Sequence, residues 1–193
     1  MENLVKIAEG VLVSCLAVKP GEEVLIVTDD SRKAIGEALY QAAGNLGCEK
    51  ILMVMGEREV SGQEPPKAVA AAMKEADVVI APTAQSLTHT NARIEAAKAG
   101  TRVATMPGIT EEMFSRGAMT ADYTAVEKLT ETITEMLTKA SSARIEKDGK
   151  VLTINLNGRD GVPKSGCVQR SRKMWKSSFR RSLHSTSGRW LRR

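Results

Sequence analysis

Glu23-Val24-Leu25-Ile26-Val27-Thr28-Asp29-Asp30-Ser31 decides the fold. Its first six residues form a short, unbroken apolar run without alternation, the pattern of a strand covered on both faces. Asp-Asp-Ser then supplies helix N-cap chemistry, and 32–46 reads as a helix closed by Gly47. Upstream, 2–18 reads as a helix with Leu4, Ile7, Ala8, Val11, Leu12, Cys15 and Leu16 at helical spacing, stopped by Pro20-Gly21. Downstream the unit repeats. Lys50–Met55, Asp77–Pro82 and Arg102–Met106 read as strands, and 67–75 and 90–99 as the helices between them. Strand and helix alternating at this spacing predict right-handed βαβ crossovers and a parallel sheet. The predicted fold class is therefore α/β, a Rossmann-like parallel sheet with helices on both faces.

The pattern changes after Pro107-Gly108. Residues 121–140 read as an amphipathic helix with Val126, Leu129, Ile133, Met136 and Leu137 on one stripe. Ala143–Lys147 and Val151–Leu156 alternate apolar and polar around Asp148-Gly149, a favoured hairpin turn. They read as the opening of a truncated antiparallel β segment, which needs further strands for stability. The predicted domains are 1–140, an α/β domain; 141–166, the start of a catalytic β domain; and 167–193, a basic tail.

Charge is unevenly spread. Of 28 Lys and Arg in the 193 residues, ten lie in 164–193, which has no Asp or Glu. That leaves 18 basic against 23 acidic residues in 1–163, a net of −5 there beside a net of +5 for the whole chain. Three cysteines without metal-ligand spacing fit a reducing compartment. No apolar run reaches the roughly 18 residues of a membrane span, and the N-terminus lacks signal-peptide features. A cytoplasmic location is expected.

The body offers little catalytic chemistry. It has neither a Gly-x-Gly-x-x-Gly after the first strand nor a Walker-type Gly-Lys-Ser/Thr. Asp29 and Asp30 stand at a strand C-terminus, where a parallel sheet can place a ligand crevice, but they are expected to cap the helix that follows them. The polar stretch Thr83–Arg93 lies at the C-terminal end of the third strand, where open α/β sheets bind ligands. Thr88, His89, Thr90 and Arg93 are the candidate ligand-binding residues, set to cap the next helix and hold an anion at its N-terminus. The competing reading is a well-capped loop with a partly buried histidine. His89 is the only histidine in 1–163, so a multi-histidine metal site cannot be built there. No catalytic residue and no metal ligand is assigned.

Four blocks carry a family resemblance: Val18–Ile26, Ser86–Arg93, Ala99–Thr110 and Gly158–Pro163. Over roughly residues 1–166 they resemble the N-terminal domain of the aminopeptidase T / aminopeptidase S type (leucyl aminopeptidase-like) metallo-aminopeptidases. The resemblance implies a cytoplasmic hydrolase releasing N-terminal residues from peptides, a homodimer, and two divalent ions (zinc, cobalt or magnesium) held by a C-terminal domain. It implies no cofactor within this chain, which is expected to be an inactive N-terminal fragment. A pyridine dioxygenase branch resembles the same scaffold, so a metal-dependent ring-opening dioxygenase relative is an alternative. Near Cys167 the sequence leaves the peptidase pattern. Codons read one nucleotide later can restore it through Asn-Leu-Pro-Ser-Gly-Glu, so 167–193 is expected to be a disordered frameshift product. Against this stands a second alternative, a small-molecule or nucleic-acid binding α/β module with a basic C-terminal arm whose Trp175 and Trp190 serve for stacking; no nucleic-acid or membrane partner is expected.

Overall fold

A computed structural model describes residues 2–163, 165 and 166. The chain divides into two compact units, one up to Thr120 and the other from Ala121.

The first unit is an open sheet of four parallel strands, β1 (Glu23–Asp29), β2 (Glu49–Met55), β3 (Val78–Thr83) and β4 (Arg102–Pro107). Their order is β2-β1-β3-β4. β1 pairs on both sides, Val24 facing Lys50 of β2 and Val78 of β3. Helices α1 (Glu2–Leu16) and α2 (Lys33–Asn45) pack together, as do α3 (Lys67–Glu75) and α4 (Asn91–Ala99). Right-handed crossovers put the second pair on the face opposite α2. This explains why Val24, Leu25, Ile26 and Val27 are all fully buried. Successive side chains point to opposite faces, and both faces are covered. Leu25 and Val27 join Val79, Ala81, Met73, Ala96 and Val103 in the core beneath α3 and α4.

The structure bears out the α/β reading. α1 ends at Leu16 rather than at 18, and Ala17 takes a left-handed φ of 46°. Two short elements follow β4: α5 (Glu111–Ser115) and a 3-10 turn over Gly117–Thr120. Thr110 caps α5 by accepting from the Met113 N–H, and Phe114 anchors it as a fully buried side chain.

The second unit holds α6 (Tyr123–Lys139), β5 (Ser142–Lys147) and β6 (Lys150–Asn155). The sequence reading assigns 121–140 to the first domain, whereas the helix groups with the hairpin. Asp122 caps α6 by accepting from the N–H groups of Thr124 and Ala125. β5 and β6 are antiparallel, with Ala143 opposite Ile154 and Ile145 opposite Leu152. Asp148 and Gly149 have φ of 50° and 72°, the pair of left-handed residues that a type I′ turn requires. α6 buries none of its residues, and Leu129 and Met136 are 60% and 65% exposed. Among the described residues, no helix is long and apolar enough to cross a membrane.

Candidate functional site

The strand order changes direction between β1 and β3, so the C-terminal ends of these strands flank the switch point where such sheets bind ligands. Three buried polar residues organise this edge. Thr28 donates its hydroxyl to the Pro82 carbonyl at 2.9 Å. Thr83 donates to the Gln85 carbonyl at 2.7 Å. Asp29 is 1% exposed and accepts from the Ala84 N–H at 2.6 Å and from the Ser31 hydroxyl at 2.9 Å.

Asp29 thus departs from its expected role. It sits at the start of the 3-10 turn Asp30–Arg32 but makes no side-chain cap to it. Its carboxylate instead ties the loop after β1 to the loop after β3. Asp30 is exposed within the turn. The α2 helix begins without any side-chain cap.

The four candidate ligand residues separate into different roles. Thr90 is 1% exposed; its hydroxyl donates to the Leu87 carbonyl at 2.8 Å and accepts from the Arg93 N–H at 3.3 Å. It is the N-cap of α4. Thr88 shares a hydroxyl contact with Thr105 of β4 at 2.8 Å and accepts from the Ser86 hydroxyl at 3.0 Å. Arg93 is half-buried in the first turn of α4, and His89 is exposed.

The anion expected at the start of α4 is supplied by the protein itself. Glu64 accepts from the Asn91 N–H through one carboxylate oxygen and from the Ala92 N–H at 3.1 Å through the other. A carboxylate on the first-turn amides also matches the helix dipole. Sequence reasoning missed Glu64, since nothing local links it to residues 27 and 28 positions downstream.

A small open cavity of about 130 Å³ lies beside the same edge, lined by Ser31, Arg32, Ala34, Ile35, Thr110 and Glu111. It holds none of the four candidate residues. Arg32 donates Nη1 to the Ser31 carbonyl, and its Nε has no partner among the described residues.

Titration behaviour is perturbed at the opposite end of the sheet. Burial pushes Glu22 up, but its hydrogen bonds with Arg102 and the Lys19 amide, and the charges of Arg102 and Lys19, outweigh that and hold it below the ordinary 4.5. Cys48 is pushed up by burial and by the nearby Glu22, leaving a thiol suited to packing rather than to nucleophilic work. Among the described residues no group of three or more His, Cys, Asp or Glu could hold a metal ion.

The family model described as NicX, 2,5-dihydroxypyridine 5,6-dioxygenase, matches residues 3–182. The solved 2,5-dihydroxypyridine dioxygenase from Pseudomonas putida KT2440 superposes with a TM-score of 0.61 at 18% identity, over 79% of this chain and 46% of that one. Wild-type AmpT from Thermus thermophilus superposes with a TM-score of 0.53 at 16% identity, over 80% of this chain and 53% of that one. The chain therefore spans about half the length of these two structures. No curated protein sequence matches it.

These findings correct the family assignment. The aminopeptidase reading, with its hydrolase and protease activity, is overturned by the dioxygenase family match and the dioxygenase neighbour. AmpT, at 16% identity, shares the fold alone. The peptide substrate, the homodimer and the paired zinc, cobalt or magnesium ions rest only on the peptidase resemblance. The frameshift expectation also rests on the peptidase continuation. It and the basic arm concern 167–193, which lie outside the described residues.

Proposed function

The chain belongs to the NicX, 2,5-dihydroxypyridine 5,6-dioxygenase, family, and on that premise we propose that it takes part in the oxygen-dependent opening of a dihydroxylated pyridine ring. The match over residues 3–182 is the observation that carries this reading. Its share of the work is to bind and orient the ring at the C-terminal edge of the sheet. Cytoplasmic location belongs to the same proposal, and the buried thiols of Cys15 and Cys48 support it.

The metal chemistry of ring-opening oxygenases does not fit the described residues. A ferrous site of the two-histidine, one-carboxylate kind needs two imidazoles, and the described residues contain His89 alone. No step is therefore assigned to a metal here. What the edge offers is hydrogen bonding suited to ring hydroxyls. Ser86, Thr88 and Thr105 form a connected hydroxyl row, and the exposed imidazole of His89 lies next to it in sequence. Thr90 holds the start of α4 in place, and Arg93 adds a cation within the first turn. These four candidates, Thr88, His89, Thr90 and Arg93, are the ligand-side residues of the proposal.

A titration tests it. 2,5-Dihydroxypyridine is added to the isotope-labelled 193-residue chain while backbone amides are followed by NMR. Saturable shifts clustered within 83–93 and at Thr105 are expected, weakened at least threefold by His89→Ala. Unsaturable or scattered shifts would reject the binding role. With ferrous iron and oxygen added, the chain alone is expected to consume no oxygen; substrate-dependent uptake would place the metal within it and overturn the division of labour.

A further inference from the structure

The eleven residues 56–66 between β2 and α3 do more than connect them. The sheet places β1 between β2 and β3, so this segment must pass the C-terminal end of β1 to reach the loop that follows β3. It is fixed there at two points. At the first, Gly62 donates its N–H to the Ser86 carbonyl at 2.8 Å. Beside it the Ser61 hydroxyl accepts from the Ser86 N–H at 3.2 Å and donates to the Gln85 side chain at 2.9 Å. At the second, the Glu64 carboxylate receives the N–H groups of Asn91 and Ala92. Between and before these points the segment is held mainly by its own bonds: Glu59 donates its N–H to the Gln63 side chain at 2.8 Å, and Gln63 donates its N–H to the Val60 carbonyl at 3.3 Å. Val60 is 62% exposed, and the Arg58 guanidinium turns back onto the Gly56 carbonyl through Nε at 3.2 Å and Nη2 at 2.9 Å. Apart from Pro65, buried at its end, the segment offers few apolar contacts, and a few polar anchors across to the next loop mark it as one that opens as a local unit.

We infer that residues 56–66 form a lid over the hydroxyl row Ser86–Thr88–Thr105, closed by a latch in which Glu64 grips the N-terminus of α4. The Glu64 bonds are charge-assisted and therefore the strongest in the segment. Ser61 and Gly62 bond both backbone groups of Ser86, whose hydroxyl in turn receives the Thr88 N–H at 3.2 Å. Release of Glu64 therefore frees the cover over the same residues that the ring-binding proposal uses. The lid does not depend on the ligand being a pyridine.

The test uses amide exchange and limited proteolysis of the full chain. Glu64→Gln keeps the shape and removes the charge. It is expected to speed exchange of Asn91 and Ala92 about tenfold or more, with a parallel rise at Gly62, Ser86 and Thr88. Tryptic cleavage after Arg58 should accelerate by a similar factor, while amides of Val79 and Ile80 stay protected. Ser61→Ala, which leaves the α4 start intact, should raise exchange at Gly62 and Ser86 and cleavage at Arg58 by a smaller factor. The lid is overturned if Glu64→Gln affects only Asn91 and Ala92, making Glu64 a plain helix cap. It is equally overturned if neither variant changes Gly62, Ser86 or Arg58.

Discussion

Replacing Asp29 should separate two accounts of the switch point. One makes this residue an ordinary helix-capping aspartate; the other makes it the tie between the β1 and β3 loops. In Asp29→Ala the Ser31 hydroxyl, which is exposed, rehydrates at little cost. The Ala84 N–H, half-buried and bonded at 2.6 Å, loses a charged acceptor that solvent replaces poorly. Hydrogen bonds to charged groups contribute about 1.5–3 kcal/mol, so a loss of about 2.5 kcal/mol is expected, roughly 70-fold in an opening constant. Asp29→Asn should cost only about 1 kcal/mol. Its carbonyl can still accept from Ala84, and its amide can donate to a rotated Ser31 hydroxyl. Native-state exchange of Val79 and Ile80 reads the effect, because these buried amides belong to a strand paired on both sides and open only with the first unit. The bridging account fails if alanine speeds their exchange less than threefold, or if alanine and asparagine are equally damaging.

Gly36→Ala should destabilise the first unit by about 1–2 kcal/mol despite the better helix propensity of alanine. The new Cβ would lie 2.8 Å from Thr28 Cγ2, a stiff buried side chain; a more stable variant would refute this close approach of α2 to β1. Thr90→Val should cost about 1 kcal/mol through loss of the α4 cap, seen as faster exchange at Arg93; unchanged exchange would leave Glu64 as the sole cap. Glu22 titrates below its ordinary value in the fold, so its contribution is present above 4.5 and lost as pH falls through the lower folded value. Acid unfolding of Glu22→Gln should accordingly show a shallower loss of stability below pH 4.5 than the parent, and identical slopes would contradict the ion pair with Arg102. Leu129→Lys with Ile133→Lys should reduce binding of an apolar dye without moving the unfolding midpoint, since both side chains are exposed on α6; a lowered midpoint would mean that the stripe is packed.

The sheet was legible because each central strand announces itself as a continuous apolar run, and both faces proved to be covered. The hairpin was legible for a different reason: Asp148-Gly149 matches the two left-handed positions of its turn. What escaped lies either below the helical period or far apart in sequence. α5 spans five residues, too few to show a stripe, although Thr110 with two acidic residues behind it carries a helix-start signature. Asp29 could be read only as a neighbour of Asp30 and Ser31, because its partner Ala84 lies 55 residues away. Glu64 has the same difficulty. The anion at α4 was foreseen as a chemical need, but its source was hidden in another loop.

The misassigned family has a related cause. The blocks that suggest a peptidase do structural work in this chain. Val24-Leu25-Ile26 fills the core. Thr88 and Thr90 fix the loop before α4. Gly108 turns the chain at φ 67°, Ile109 is buried, and Thr110 caps α5. Such residues specify a scaffold, and a scaffold hosts more than one chemistry. Both solved neighbours share that scaffold at under 20% identity, so superposition alone cannot choose between oxygenation and hydrolysis. The choice comes from the family match along residues 3–182. Even this match does not supply the reacting groups, since the described residues include one histidine and no metal-ligand cluster. On the proposed reading this chain contributes recognition at the sheet edge, and the Ser86–Thr88–Thr105 row with its Glu64 latch is where that recognition is to be sought.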